Sequence, residues 1–269
     1  MKRVAAVQMA SGPNIEANLI EAGRSICAAA DAGAGLIVLP ENFALMGLSE
    51  KDNLKFAEKD GIGKIQDFLA EKAEQTQAWI VGGTIPIAAD EADKVNAACL
   101  VFDDKGRRVA RYDKIHLFDV EIVDSGEQYA ESMTIKPGNK AVVIDSPFGK
   151  LGLAVCYDLR FPELFRTLLD KGAEIFVVPS AFTAITGRAH WEVIVRARAI
   201  ENLSYVVAAA QGGYHVSGRE TYGDSMIVGP WGTVLDRLPN GSGFVIADID
   251  KDRLASVRRN FPAIDHRKL

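Results

Sequence analysis

The fold of this chain is decided by one stretch of sequence, Leu151-Gly-Leu-Ala-Val-Cys156-Tyr-Asp-Leu-Arg160-Phe-Pro162-Glu. The apolar residues before Cys156 predict a strand that ends at this cysteine, and Pro162 suits the first turn of a following helix. Such a strand-to-helix turn would expose the cysteine at the edge of a sheet. It would also aim backbone N–H groups and a helix dipole at the sulfur, which favours the thiolate. Many free cysteines are small buried residues instead, so this segment alone leaves a catalytic and a packing role open.

Outward from that turn, segments with the periods of strands and of helices alternate along the chain. We predict strands at Val4–Met9, Leu36–Leu39, Trp79–Ile85, Ala97–Phe102, Val109–Tyr112, Ala141–Asp145, Leu151–Val155, Ile175–Pro179, Tyr205–Ala210, Asp224–Val228, Thr233–Leu238 and Gly243–Asp248. We predict helices from Asn14 to about Ala32, over Ile62–Ala73, after Pro162, and over His190–Leu203 and Lys251–Arg259.

Hairpins mixed with strand–helix–strand units predict an α/β fold with two mixed sheets covered by helices. We therefore expect one domain over residues 1–269, built as a four-layer α-β-β-α sandwich. The segment Asp119–Asn139 has no clear period, and long ordered loops in compact domains often border active sites.

The composition argues against several classes of function. The formal net charge of −5 argues against a nucleic-acid or anionic membrane surface, and no apolar run approaches the roughly 20 residues that cross a bilayer. Three sparse cysteines predict reduced thiols in a cytoplasm, with Cys27 and Cys99 packed in the core. The four histidines are scattered, so we predict no metal site.

Two further charged residues follow predicted strands. Glu41 comes directly after the apolar run Leu36–Leu39 and Pro40, at the position where α/β proteins build sites, and a buried carboxylate there could act as a general base. Lys114 ends another strand and could neutralise a thiolate or an oxyanion. Taken singly, each is more often an ordinary surface charge, and Glu131 is by spacing one acid among many.

Taken together, these segments resemble the nitrilase superfamily of carbon–nitrogen hydrolases, over nearly the whole chain from about Val4. The matching motifs are Leu-Pro-Glu41-Asn, Tyr-Asp-Lys114-Ile-His-Leu, Gly-Leu-Ala-Val-Cys156-Tyr-Asp-Leu-Arg160-Phe-Pro-Glu-Leu, Val178-Pro-Ser-Ala-Phe, Thr186-Gly-Arg-Ala-His190-Trp-Glu192, Arg196-Ala-Arg198-Ala-Ile-Glu201-Asn, Gly223-Asp-Ser225-Met and Pro230-Trp-Gly232. Several separated motifs in one order make the resemblance specific. Within the superfamily the chain is most similar to the Nit branch, and more to its deaminated glutathione amidases than to the ω-amidases. The stretch 122–127 departs from the usual pattern of a loop that borders the substrate in relatives.

The resemblance implies an amidase without a cofactor, in which Cys156 is the nucleophile, Glu41 the base and Lys114 the electrostatic partner. It implies that Glu131 positions Lys114 or water, and that the backbone N–H of Tyr157 helps to bind the oxyanion. The substrate would be deaminated glutathione, an anion for which Arg160 is a candidate partner, with Arg188 and His190 as further candidates. A structural ion pair of Arg160 with Glu163 or another acid is at least an equal interpretation. The resemblance also implies a homodimer, with contacts from Trp191–Leu203, the helix after Pro162 and the segment 251–269.

Three other functions stay open at this point. A papain-type Cys–His hydrolase would need His190 beside Cys156, and would leave Glu41 and Lys114 without a role. A non-catalytic binding protein or a thiol redox sensor could share the fold. Finally, an ω-amidase, N-carbamyl hydrolase or nitrile hydrolase would use the same three residues on another substrate.

Overall fold

Two β-sheets packed face to face form the centre of the computed structural model, which describes residues 2–123 and 126–268. In chain order the strands are β1 (Lys2–Gln8), β2 (Leu36–Val38), β3 (Trp79–Val81), β4 (Ile85–Ala88), β5 (Val95–Phe102), β6 (Arg108–Asp113), β7 (Asp119–Ile122), β8 (Glu127–Ala130), β9 (Val143–Ser146), β10 (Gly149–Leu153), β11 (Ile175–Ser180), β12 (Tyr205–Ala210), β13 (Gly212–Tyr214), β14 (Glu220–Tyr222), β15 (Ser225–Val228), β16 (Val234–Leu238) and β17 (Gly243–Ile249). The helices are α1 (Ile15–Asp31), α2 (Asp52–Lys55), α3 (Lys64–Thr76), α4 (Pro162–Asp170), α5 (Ala184–Asn202) and α6 (Lys251–Asn260).

The first sheet has the order β17-β1-β2-β3-β5-β4, and β6 also pairs with β5. The second has the order β16-β15-β12-β11-β10-β9. In each sheet the central strands run parallel, from β1 to β3 and from β10 to β12, and antiparallel strands flank them. Strand β17 returns from the end of the chain to pair with β1 over seven residues.

Alternation along β1 shows how the layers form. Val4 and Ala6 belong to the apolar cluster shared with the second sheet, whereas Ala5 and Val7 pack in the cluster that includes α1 and α3. Successive side chains of a strand point to opposite faces, so a fully apolar strand can be buried on both. Helices α4 and α5 cover the other face of the second sheet. This arrangement confirms the predicted α-β-β-α sandwich.

The boundaries of α1 follow local chemistry. Asn14 caps the helix by accepting a hydrogen bond from the backbone N–H of Ala17 at 3.1 Å, as predicted from its position. Cys99 is buried in β5 as expected. Cys27 on α1 is exposed, so the prediction that it packs in the core is wrong.

Three predicted elements differ from the structure. The single strand predicted over Trp79–Ile85 is divided between β3 and β4, because the chain turns at Gly83, where φ is +55° and a Cβ atom would lie 2.0 Å from the carbonyl oxygen of Pro40. Helix α5 begins at Ala184 and not at His190, since the side chain of Thr183 caps it by accepting from the N–H of Thr186 at 3.3 Å.

The third difference lies in the segment Asp119–Asn139, predicted as a loop. It contains the β7–β8 hairpin and a short 3-10 turn at Glu131–Met133. The stretch 122–127, which departs from the family pattern, includes Asp124 and Ser125, and these two lie outside the described residues.

Candidate active site

A pocket of about 690 Å³, including its open mouth, lies where the ends of the two sheets meet. Glu41 follows β2 after two residues and Lys114 directly follows β6, so both come from the first sheet. Cys156 follows β10 of the second sheet, and Glu131 follows the β7–β8 hairpin. All four side chains line this pocket, so the fold brings together residues up to 115 positions apart in the sequence.

Lys114 is enclosed between two carboxylates. Its Nζ donates to Oε1 of Glu41 at 2.8 Å and to both carboxylate oxygens of Glu131 at 2.9 and 2.8 Å. The backbone N–H of Phe118 donates to Glu131 at 2.7 Å and fixes that carboxylate. Burial by itself lowers the pKa of Lys114, but Glu131 and Glu41 outweigh it and leave the pKa well above its usual value. Lys114 is therefore a fixed ammonium ion in a buried site.

Cys156 has an unusual backbone conformation. Its φ is +46°, in the left-handed region that non-glycine residues seldom adopt, at the start of a 3-10 turn over Cys156–Arg160. Such strained conformations often occur at functional sites. Its side chain is buried in the protein and reached through the pocket, so the expectation of an exposed sulfur is wrong.

The resting state of Cys156 also differs from the expectation of a thiolate. Burial and then the Glu41 carboxylate raise the pKa of this thiol well above its usual value, against a smaller lowering by Lys114. A backbone N–H group does donate to Sγ, at 3.5 Å, but it belongs to Ala181 after β11 and not to the helix that follows the cysteine. The raised pKa favours the neutral form of the Cys156 thiol in the free protein.

Asp158, which the sequence analysis did not single out, holds the cysteine turn in place. Its fully buried carboxylate lies 2.7 Å from Nδ1 of His116 and accepts from the hydroxyl of Tyr112 at 2.7 Å. It also accepts from the backbone N–H groups of Val155 at 2.8 Å and His116 at 3.1 Å. This network ties the residue before Cys156 to the strand and loop that carry Lys114.

Gln211 joins the two sheets beside Glu41. Its Nε2 donates to the backbone oxygen of Glu41 at 3.0 Å and to Oγ of Ser11 at 2.7 Å, and its Oε1 accepts from the N–H of Ser11 at 2.9 Å. Each of these contacts is buried. The sequence analysis does not single out Gln211, whereas in the structure it fixes the backbone of the predicted base.

Tyr157 and Arg160 both line the pocket. The guanidinium of Arg160 lies 5.8 Å from the ring centroid of Tyr157 and 5.3 Å from that of Phe182, and its Nη1 donates to Nδ1 of His190 at 3.3 Å. Within the described residues Arg160 forms no ion pair with Glu163, which is evidence against that interpretation.

The other two predicted substrate-binding residues lie elsewhere. Arg188 and His190 are exposed on α5 and are not part of the pocket wall, although His190 touches Arg160. In the described ranges no histidine hydrogen-bonds to Cys156, so the geometry required for a papain-type pair with His190 is missing. Trp191 is wholly buried in the middle of α5 and does not begin that helix.

The charged and aromatic pocket residues that the sequence analysis does not single out are Glu50, Phe118, Tyr129 and Arg219. Phe118 and Tyr129 pack with ring centroids 5.0 Å apart, and Phe118 also packs edge-on against Tyr157. These residues lie in loops and in the short hairpins, where no hydrophobic period marks them. Among the described residues there is no group of three or more metal-ligating side chains suited to an ion, and no helix long and apolar enough to cross a membrane.

Comparison with known proteins identifies the family of this chain. The family profile described as carbon-nitrogen hydrolase matches residues 3–259. A deaminated glutathione amidase of Synechocystis sp. is 44% identical over 266 residues, which cover 98% of this chain and 97% of that protein. The crystal structure of Saccharomyces cerevisiae Nit3, a member of branch 10 of the nitrilase superfamily, has a TM-score of 0.89 at 32% identity and covers 100% of this chain and 97% of that one.

The C. elegans NitFhit protein has a TM-score of 0.92 at 36% identity over 99% of this chain. This chain spans only 65% of the NitFhit chain, so that likeness concerns one part of a longer protein. The match to the family profile covers most of the sequence, and full-length relatives exceed 40% identity. The chain therefore belongs to the carbon–nitrogen hydrolase family, enzymes that hydrolyse carbon–nitrogen bonds other than peptide bonds.

Proposed function

We propose that this enzyme is an amidase that hydrolyses deaminated glutathione to 2-oxoglutarate and cysteinylglycine. The observation that carries the proposal is the pocket in which Lys114 lies between Glu41 and Glu131, with the thiol of Cys156 in the same cavity. The relatives named deaminated glutathione amidase, at 38–44% identity over nearly the full chain, support this substrate. The hydrolysis changes no oxidation state, so the reaction needs no redox cofactor.

The first half of the reaction forms a thioester. Glu41 takes the proton of Cys156, and the sulfur attacks the amide carbonyl carbon of the substrate. Lys114 and the backbone N–H of Tyr157 would stabilise the negative oxygen, a contribution of about 3 kcal/mol for each well-placed donor. When the tetrahedral intermediate collapses, the C–N bond breaks and Glu41 returns the proton to the leaving amine.

The second half hydrolyses the thioester. Glu41 removes a proton from a water molecule, the resulting hydroxide attacks the thioester carbon, and the C–S bond breaks. The sulfur regains its proton from Glu41, and the new carboxylic acid group gives its proton to solvent, so that the product leaves as a carboxylate. Glu131 acts through Lys114, because it accepts from the ammonium with both oxygens and keeps Nζ in place.

Arg160 is our candidate partner for the carboxylate of the acyl half. It lines the pocket four residues after Cys156, forms no ion pair with a described acid, and would be matched by a carboxylate in a two-pronged hydrogen bond. We do not assign this role to Arg188, which is exposed outside the pocket, and we assign His190 a supporting role through its contact with Arg160.

Assembly and location belong to the same proposal. We expect a single domain over residues 1–269 that forms a homodimer in the cytoplasm. Exposed apolar side chains support an interface that includes α5 and the segment 251–269: Val193 and Ile200 lie on α5, and Trp231 packs against Phe261 with ring centroids 5.2 Å apart. Sedimentation of the full chain would test it, with a monomer at micromolar concentration as the contrary result.

The test of the activity compares two substrates. Purified protein is incubated with deaminated glutathione and with 2-oxoglutaramate, and release of 2-oxoglutarate is followed. Cys156→Ala should be inactive, whereas the exposed cysteine gives a matched control, Cys27→Ala, that should keep full activity. A thioester trapped on Cys156 and detected by mass spectrometry would exclude a non-catalytic or redox-sensing role.

The outcomes separate the alternatives. Preference for deaminated glutathione supports the proposed substrate. Preference for 2-oxoglutaramate would keep the mechanism and make the enzyme an ω-amidase. Absence of activity on both would refute the substrate and call for N-carbamyl, nitrile and other amide substrates.

A further inference from the structure

The pocket contains cationic side chains in two different states. Lys114 is neutralised by two carboxylates at hydrogen-bond distance. The guanidinium groups of Arg160 and Arg219 have no such partner among the described residues, although both line the same pocket. An unpaired cation inside a pocket is a group that an anionic ligand can satisfy.

Arg219 is held rigidly by uncharged contacts. It lies between β13 and β14, its Nη2 donates to the backbone oxygen of Ala181 at 2.6 Å, and its guanidinium lies 5.1 Å from the ring centroid of Tyr129. Its Nε is buried and has no hydrogen-bond partner. A guanidinium has five N–H donors, so most of its hydrogen-bonding capacity is unused in the free protein.

Glu50 is the acid that could compete with an anionic ligand for Arg219, and it lies at the exposed rim of the same pocket. It forms no ion pair with Arg219 within 4 Å among the described residues. Desolvation of its carboxyl inside the pocket, and then the negative charge of Glu131, raise the pKa of Glu50, whereas Arg219 lowers it.

Arg219 is also within reach of the second carboxylate of the proposed substrate. Ala181 links it to the nucleophile, since its N–H donates to Sγ of Cys156 and its carbonyl oxygen accepts from Arg219. Standard backbone dimensions then place Nη2 no more than about 10 Å from the sulfur. In deaminated glutathione the terminal glycine carboxylate lies at most about 7 Å beyond the attacked carbonyl carbon, by the same dimensions.

We propose that Arg219 binds the terminal carboxylate of the leaving cysteinylglycine half and so selects the peptide-bearing substrate over 2-oxoglutaramate. This rests on the proposed function, in which Arg160 binds the carboxylate of the acyl half. The two arginines flank the segment Ala181–Phe182, one contacting the carbonyl of Ala181 and the other the ring of Phe182. A pocket with two unpaired guanidinium groups fits a substrate with two carboxylates.

The test changes the substrate and the enzyme in turn. Deaminated glutathione is compared with its C-terminal amide, which lacks the glycine carboxylate, and with 2-oxoglutaramate. The wild-type enzyme should favour the acid over its amide by about 10- to 100-fold in kcat/KM, the usual range for a hydrogen bond to a charged group. Arg219→Gln should lose this factor on deaminated glutathione alone, with less than about a twofold change on the other two substrates.

Two control variants sharpen the result. Arg188→Gln removes an exposed arginine outside the pocket and should leave all three rates unchanged. Arg219→Lys keeps the charge without the two-pronged geometry and should retain part of the preference. If Arg219→Gln does not fold, the inference is tested by the wild-type preference for the acid over the amide and by the preference that remains in Arg219→Lys.

The inference is overturned if the wild-type enzyme cleaves acid and amide equally, or if Arg219→Gln slows all three substrates by the same factor. The second result would mean that Arg219 acts only through the backbone of Ala181. A wild-type enzyme that cleaves none of the three substrates would instead refute the proposed function itself, so the two failures are distinguishable.

Discussion

Replacing Asp158 by asparagine should destabilise the protein strongly without changing the shape of the side chain. The carboxylate accepts four hydrogen bonds, two on each oxygen: Oδ2 from Tyr112 and Val155, and Oδ1 from both donors of His116. An asparagine amide can accept on one side only and would face two donors on the other. Two hydrogen bonds to a buried charge are lost, at about 1.5–3 kcal/mol each, so we expect a cost of about 3–6 kcal/mol.

The assay is thermal unfolding followed by circular dichroism. For a chain of this size 1 kcal/mol corresponds to a shift in Tm of about 2–4 °C, so Asp158→Asn should melt at least about 6 °C below the wild type. Tyr112→Phe is the matched control, since it removes one of the four bonds and should lower Tm by about half as much as Asp158→Asn. Because Asp158 binds the N–H of the residue before Cys156, kcat should fall by about 10- to 100-fold in the folded variant. A Tm within 3 °C of the wild type would refute this account of the network.

Three further predictions concern the charges and hydrogen bonds of the pocket. Burial and Glu41 raise the pKa of Cys156, so the rate at which iodoacetamide alkylates this thiol should still be rising at pH 9. A rate that reaches its plateau below pH 7 would contradict a neutral resting thiol. The pKa of the Cys156 thiol in the folded protein lies above the value of about 8.5 in the unfolded chain. The neutral thiol therefore contributes its full stabilisation below about pH 8.5, and this stabilisation is lost as the pH rises towards the folded-state pKa. Lys114→Met leaves the buried carboxylate of Glu41 and the half-buried carboxylate of Glu131 without their cation and should cost about 3–5 kcal/mol in urea unfolding. Glu131→Gln should cost less because it leaves the Glu41 pair intact, and an equal cost would argue against the pairing. Gln211→Ala removes three buried hydrogen bonds, so it should lower the free energy of unfolding by about 2–4 kcal/mol and slow acylation. A decrease below about 1 kcal/mol in the same urea unfolding assay would contradict this prediction.

The layered architecture and the positions of the strand ends can be predicted from the sequence. The apolar runs at β2 and β11 are long enough to show burial on both faces, and the residues after strands β2, β6 and β10 mark one edge of the fold. The pattern predicts that Glu41, Lys114 and Cys156 each follow a strand. Only the family resemblance indicated that the three belong together, because periodicity does not state which sheets pack against each other.

The supporting residues could not be found in this way. Gln211 and Ser11 are 200 positions apart, and Asp158 and Tyr112 are 46 apart, so their pairing is a property of the folded chain. The start of α5 was missed because Ala184-Ile-Thr-Gly contains residues of low helix propensity. The cap at Thr183 and the close packing of Gly187 against Tyr222 override that local preference.

The return of β17 to the first sheet has a consequence for how the chain matures on the ribosome. Strand β1 is synthesised before every other strand of the two sheets, but its partner across seven residues, Gly243–Ile249, is the last of those strands to be made. Until β17 is made, one whole edge of β1, with its apolar residues Val4–Val7, has no neighbouring strand. An open apolar edge can pair with other nascent chains, so the completion of β17 and chaperone binding compete with aggregation during that interval. Truncation anywhere before Gly243 would make this transient exposure permanent.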